Sequence, residues 1–310
     1  MKTGSMRKYV GFYLLIAVLG VVSIMQAQAL FQGLNYPVNS RGWGMGSAVS
    51  GLVNDGTGIS SNPGTLSSVP LSWQFTYTSF VLDIYSTTGF VILNAPVKGK
   101  CAVMIHYLDY GSFTERNYKG EDTGNFSVND LNISLAYGTK LTRKLSAGAS
   151  LSVAHSNLNL LSANAILGSI GILYYDSNSS LAIGFSYNNF GTLLSGYKTE
   201  DEPLPRTFII GVSKHLAHLP MILSFDVYQA YKDEYIARIG GEFYFHNRFF
   251  LRWGTSSRRF QINTQQTFKD FLAGSSTGVG IKLSRFHFDL AFMSFGNIGT
   301  ISSISISQNL

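Results

Sequence analysis

From Leu71 to the end of the chain, apolar residues alternate with small or polar ones at a period of two. Leu131, Ile133, Leu135 and Tyr137 are interleaved with Asn132, Ser134, Ala136 and Gly138. Leu145 to Val153, Leu181 to Tyr187 and Phe286 to Phe292 repeat the same pattern. Successive side chains of a strand point to opposite faces, so each stretch carries one apolar face and one small or polar face. The pattern predicts strands over 71–79, 83–95, 100–109, 126–139, 144–157, 162–176, 180–190, 205–216, 220–230, 234–247, 248–256, 259–268, 276–284, 286–295 and 299–308. The weakest are 83–95 and 259–268, and an even total favours fourteen. Connections such as Asp176-Ser177-Asn178-Ser179 are short and polar, and no amphipathic helix lies between strands, which excludes a parallel α/β fold.

The chain before Leu71 is different. Residues 30–70 are rich in Gly, Ser and Asn and have weak periodicity. Tyr36-Pro37, Asn54-Asp55-Gly56 and Asn62-Pro63-Gly64 are turn signals, so this stretch reads as a compact irregular segment. Residues 1–29 read as a signal peptide. Lys2, Arg7 and Lys8 precede the apolar run Val10 to Ile24, and Ala27-Gln28-Ala29 supplies a small-x-small cleavage pattern. The mature chain is expected to begin near Leu30. The apolar run is shorter than the ~20 residues of a spanning helix. No second run of that kind follows, so a membrane-integral mature protein must cross with closed strands.

Composition separates a membrane barrel from a soluble sandwich only in part. Hydrophobic residues make up 45% of the chain and charged ones 13%, where a soluble domain carries about 25% charged. A sandwich would turn a charged face to water. Here the less apolar face is mostly Ser, Gly, Ala and Asn, with isolated charges at Asp226, Arg238, Glu242, Arg252, Lys282 and Asp289. In a barrel these six point inward, where opposite signs can pair into a lumen-filling network. Ligand contact is the other role open to them. Tyr107, Tyr110, Tyr174, Tyr175, Tyr228, Tyr231, Tyr235 and Trp253 lie near strand ends, as interfacial girdles would. Together these features predict an all-β, antiparallel transmembrane β-barrel of about 14 strands, spanning 71–310, in contact with outer-membrane lipid and lipopolysaccharide.

Net charge is +6, and without the first 29 residues it is +3, with no basic run in the remainder, so nucleic acid is not an expected partner. The single cysteine, Cys101, cannot form an internal disulfide. Gly42-x-Gly44-x-Gly46 lacks the strand and helix of a phosphate loop. Gly274-Ser275-Ser276-Thr277-Gly278 matches Gly-x-Ser-x-Gly but leads into a predicted strand rather than a helix. His155 has Ser150 and Ser152 nearby in sequence, but on the opposite strand face. His215 and His218 do not make a metal-ligand pattern. No enzyme activity, metal or cofactor is predicted.

Arg41 to Val49, then Asn54-Asp55-Gly56, then Asn62-Pro63-Gly64-Thr65-Leu66 resemble the N-terminal signature of the PorV/PorQ family, which is related to FadL-type 14-stranded barrels. The resemblance implies an N-terminal plug over 30–70, with Gly46, Asn62, Pro63 and Gly64 in its motif. Gly64 stands where that family usually has Ala. His106 to Phe113, Gly124 to Ser127 with Asp130, Glu202 to Pro205 and Ile210 to Pro220 resemble the PorQ branch, in order along the mature chain. What this implies is a non-enzymatic outer-membrane component of the type IX secretion system, docking surface proteins of an attachment complex alongside PorU, PorV and PorZ.

Loop economy agrees with such a role. Residues 71–310 leave roughly 17 residues per strand and connection, and a tilted spanning strand needs ~9–11. Tyr110 to Asn125 and Ser195 to Glu202 are the candidate docking segments, and both also read as ordinary solvated loops. The alternative is a FadL-like passive transporter of hydrophobic small molecules across the outer membrane. A general diffusion porin is a third reading, which the plug opposes.

Overall fold

The computed structural model describes residues 29–197, 202–229, 234–246, 248–260 and 267–310. The signal-peptide pattern therefore lies outside the described residues, apart from Ala29. Fourteen strands follow the N-terminal segment. They are β1 (Ser72–Ser79), β2 (Tyr85–Asn94), β3 (Lys100–Arg116), β4 (Asp122–Lys140), β5 (Leu145–Leu158), β6 (Leu161–Asp176) and β7 (Leu181–Ser195), then β8 (Thr207–His215), β9 (Met221–Gln229), β10 (Tyr235–Phe245), β11 (Phe249–Ser256), β12 (Ser275–Leu283), β13 (Phe286–Ser294) and β14 (Thr300–Asn309). Each pairs antiparallel with its neighbours in sequence, and β1 pairs with β14 from Ser72↔Asn309 to Ser79↔Ser302. Closure leaves no sheet edge, which is what a bilayer demands of strands.

The apolar face of the alternation points outward. Phe75, Val103, Ile133, Leu135, Leu151, Ile172, Phe225, Leu251, Phe288 and Ile304 are all exposed large hydrophobics from different parts of the wall. A continuous apolar belt of this kind is the lipid face of a barrel and is not found on soluble monomers. Tyr77, Tyr85 and Tyr107 neighbour one another at one end of the belt, with successive ring centroids 5.9 and 6.5 Å apart. Not every predicted girdle residue takes part. Tyr228 is buried on the inward face, Tyr175 packs beside Val53 and Leu173, and Tyr110 donates to Asp130 at 2.9 Å. Tyr231 lies outside the described residues.

Two predicted boundaries need correction. The stretch 259–268 is not strand at either of its described ends, and 261–266 lie outside the described residues. Ser257–Phe260 forms a 3-10 turn, and Thr267–Leu272 forms a short helix. β11 pairs directly with β12, so the sheet closes without it. The stretch 110–125, read as a loop, is instead the top of a long β3–β4 hairpin. β3 to β7 run to 14–19 residues, and the other strands to 8–11. One side of the wall therefore stands higher than the other. On that side the outward positions turn polar above Leu131, Val153 and Ile166, at Asn129, His155 and Asn164. The last two bond to each other at 2.8 Å. The belt ends there, and the wall above it stands in water.

Six of the connections are short and lie on the rim where β1 begins and β14 ends: 95–99, 141–144, 177–180, 216–220, 246–248 and 284–285. Longer connections, including 196–206 and 257–274, lie on the opposite rim. Short turns mark the periplasmic side of such barrels, which orients this one. These are called the inner and outer rims below.

Leu135→Arg, in the belt, is expected to cost about 2–4 kcal/mol, and Asn157→Arg, above it, about 0–1 kcal/mol. Guanidinium unfolding of both variants in lipid vesicles measures the difference.

Candidate functional site: the barrel interior

The inward face is built for contact with the backbone of residues 29–70. This segment is a series of tight turns. A 3-10 turn covers Gln32–Asn35, helix α1 covers Ser40–Gly44, and further 3-10 turns cover Gly56–Ile59 and Pro63–Ser68. Short Asn and Asp side chains cap three of them, because each can accept from an amide two or three residues on. Asn39 accepts from Gly42 N at 2.9 Å, Asp55 from Thr57 N at 2.6 Å and Asn62 from Gly64 N at 3.0 Å.

Such a segment presents many backbone carbonyls, and buried carbonyls need donors. The small polar face of the strands supplies them. Ser276 Oγ donates to the Gly44 carbonyl at 3.1 Å and Ser213 Oγ to Gly51 at 2.7 Å. Ser186 Oγ and Asn188 Nδ2 donate to Ser61 at 2.5 and 2.8 Å. At the seam of the barrel, Ser40 Oγ lies 2.9 Å from Ser303 Oγ and 2.8 Å from Ser305 Oγ. Thr78 and Thr76 of β1 bond to those same two serines. The segment thus ties β1 to β14 at the pair that closes the sheet.

Inward-facing glycines let the two backbones meet. Gly138, Gly148 and Gly171 are cross-strand partners on β4, β5 and β6, as are Gly184 and Gly211 on β7 and β8, and Gly240 and Gly254 on β10 and β11. A Cβ at Gly148 would collide with the Pro63 carbonyl, at Gly184 with the Ser50 carbonyl, and at Gly240 with the Met45 carbonyl. Sequence reasoning read these glycines only as part of a small face. Their recurrence at inward parity on successive strands was the available signal, because a lumen filled by side chains alone would not need them.

The resemblance-derived motif sits on this wall. Asn62 is fully buried, and its Nδ2 donates to the Ser50 carbonyl at 2.8 Å and to the Ile172 carbonyl at 3.1 Å. Pro63 opens the last 3-10 turn. Gly64 lies against β6 so closely that a Cβ would fall 2.9 Å from backbone atoms of Gly171 and Ile172. That proximity leaves no room for a side chain at position 64. Gly46 has φ +62, a conformation that favours glycine, and its amide abuts Gly254.

Three of the six predicted lumen charges join one chain of alternating sign. Arg41 of α1 bonds to Asp55 and, at 2.6 and 2.8 Å, to both carboxylate oxygens of Glu242. Glu242 also accepts from Arg252 at 2.5 Å, and Arg252 reaches Asp289 at 2.6 Å. Glu242 is only 1% exposed, and these two guanidinium groups balance its charge. Gly280 leaves the room Arg252 occupies, since a Cβ there would fall 2.8 Å from Nη2. The charge of Asp226 is met differently from the expected ion pairing. Its cross-strand partner is Arg238, yet its Oδ2 accepts the backbone amides of Val49 and Ser50 at 2.9 and 3.0 Å. Arg238 instead lies over the Tyr228 ring at 4.2 Å and donates to the Ser47 carbonyl at 3.4 Å. Lys282 pairs in register with His287 near the inner rim and joins no ion pair among the described residues. Arg41 and Asp55, which complete the chain, lie outside the periodic strands, so no alternation pointed to them.

The cavities bordered by the described residues are small. A cavity of about 80 Å³ near the outer rim is bordered by Tyr36, Trp43, Ile236, Met293, Phe295 and Arg238. Another, of about 30 Å³, is bordered by Leu34, His106, Asn132 and Asn189. Sites for drug-sized ligands measure roughly 300–1,000 Å³, so passage of a solute would require residues 29–70 to move. Among the described residues no group of His, Cys, Asp and Glu is arranged to hold a metal ion.

The architecture is shared with solved outer-membrane channels. The toluene transporter TodX of Pseudomonas putida matches with a TM-score of 0.61 and 14% identity, over 89% of this chain and 98% of its own. A FadL homologue of Pseudomonas aeruginosa matches with a TM-score of 0.63 and 11% identity, over 88% of this chain and 98% of its own. The monoaromatic hydrocarbon channel CymD matches with a TM-score of 0.60 and 12% identity, over 88% of this chain and 98% of its own. At these identities the likeness concerns the fold alone, a closed 14-stranded antiparallel barrel. No protein-family model and no curated sequence matches the chain.

Replacing Glu242 leaves two buried guanidinium groups short of a carboxylate. Glu242→Gln is expected to cost about 3–5 kcal/mol. On an Arg41→Gln background the same change should cost clearly less, because one of those groups is already gone. Unfolding midpoints of the four proteins in detergent micelles give the coupling.

Proposed function

We propose that the protein is a plugged outer-membrane channel that passes small hydrophobic molecules when residues 29–70 shift. The observation that carries this reading is the cavity near the outer rim. Trp43, Tyr228, Ile236, Met293 and Phe295 give it aromatic and aliphatic walls, Arg238 and Arg258 with Gln32, Asn35 and Ser256 give it polar ones, and the segment itself forms one side of it through Tyr36 and Trp43. A pocket that sets apolar walls beside polar groups suits an amphiphilic or apolar solute. The fold shared with TodX and CymD supports the same class of cargo. In this reading the ion chain from Asp55 to Asp289 and the glycine-lined wall hold the plug in its resting position.

The resemblance to the PorQ branch favours a second reading, a docking component of type IX secretion. The structural feature that supports it is the β3–β4 hairpin, which rises past the ends of β2 and β5 and carries the stacked Phe113 and Phe126 and the exposed Tyr118. On this reading the hairpin, rather than the lumen, meets the PorU-, PorV- and PorZ-like partners.

Uptake of radiolabelled toluene by cells lacking the protein separates the two. The channel reading expects uptake to fall on deletion and to recover with the wild type. Recovery should fail with Ile236→Trp, which fills the cavity, and should succeed with Phe113→Ser/Tyr118→Ser. Unchanged uptake on deletion, together with loss of protein secretion that the hairpin variant fails to restore, would reject the channel in favour of docking.

A further inference from the structure

The inner rim is strongly and one-sidedly basic. Exposed Lys or Arg side chains lie on or beside five of its six turns: Lys98, Arg143, Lys214, Arg248 and Arg285. Among the described residues the one acidic side chain on this rim is Asp176, which is already paired with Lys144 at 3.1 Å. The five named cations have no ion-pair partner among the described residues. The outer rim differs. There acids and bases are mixed, and Arg116, for example, is paired with Asp122 at 2.9 Å.

The neighbours of these cations are equally informative. Val97 adjoins Lys98, Leu141 lies two residues from Arg143, Phe249 adjoins Arg248, and Leu283 lies two residues from Arg285. All four apolar side chains are more than half exposed. An apolar side chain next to a free cation, at the edge of a lipid-facing belt, is the arrangement of a membrane interface. There the stem or ring enters the acyl boundary and the charge reaches the headgroups. The cations are also spread around the barrel. A docked acidic protein would call for one concentrated sector, whereas lipid meets the whole circumference.

We propose that the inner rim is a binding surface for anionic glycerophospholipid headgroups, selected over zwitterionic ones. Unpaired charges of one sign sum to a positive potential over the leaflet they face. Each Lys or Arg near an anionic surface adds to the attraction, which decays within about 8–10 Å at physiological salt.

The test uses the mature barrel in phosphatidylcholine bilayers carrying trace spin-labelled phosphatidylglycerol or spin-labelled phosphatidylcholine. Electron paramagnetic resonance reads the fraction of each label held against the protein. The wild type should favour phosphatidylglycerol by about threefold or more at low salt, and the preference should fall toward one at about 0.5 M salt. The Lys98→Gln/Arg143→Gln/Arg248→Gln/Arg285→Gln variant should lose most of it. An outer-rim control, Arg206→Gln/Arg258→Gln, should keep it. The salt titration needs no variant, so it stands even if the quadruple substitution impairs folding. Equal association of the two lipids with the wild type would overturn the proposal. So would a preference that survives the inner-rim variant or is lost in the outer-rim control, or binding of soluble polyglutamate without any lipid preference.

Discussion

The interior depends on one steric constraint: two backbones meet with no side chain between them. Residues 44–64 run along the strands at positions where the strands carry glycine, and a single Cβ at Gly148, Gly184 or Gly240 would occupy a space now filled by a carbonyl oxygen of the segment. Other features follow from that approach. Carbonyls brought so close to the wall need donors, and the inward Ser and Asn side chains provide them. Glycine in strands is costly for the sheet, so its concentration on one face makes sense only if something lies against that face.

Charge adds direction to this fit. Small polar donors accept a backbone at many angles, whereas the chain Asp55–Arg41–Glu242–Arg252–Asp289 fixes α1 against β10, β11 and β13 through planar guanidinium groups. Such a buried network adds little net stability over apolar packing and is costly to break halfway. That combination suits a position held firmly until several contacts give way together. The cavities of about 80 and 30 Å³ are smaller than a drug-sized solute, so on the channel reading the segment has to shift for passage.

Much of the fold was legible because lipid imposes a simple rule on sequence. Each spanning strand must be apolar on its outward face, and the period-two signal reported all fourteen strands. Where lipid stops, the rule stops. Residues 112–116 and 122–125 are exposed on both faces, so Ser112, Thr114, Glu115 and Gly124 left no alternation to read. The opposite error arose at 259–268. There Phe260 and Ile262 alternate with Arg259 and Gln261, but the chain leaves the wall at Ser257–Phe260, and Arg259 lies over the Phe271 ring. In the interior, Glu242, Arg252 and Asp289 stand at the inward parity of their strands. Parity could not pair Asp226, because the partners of that carboxylate are backbone amides of Val49 and Ser50, which carry no side-chain signature.

Closure of the lumen by contact between the segment and the glycine wall is tested most directly by solute permeation through a Gly148→Val/Gly184→Val variant in proteoliposomes. The barrel should still form, since both positions remain compatible with a strand, and the segment should no longer seat. Small sugars should then permeate the variant rapidly while the wild type stays tight. A folded variant as tight as the wild type would contradict closure by this contact.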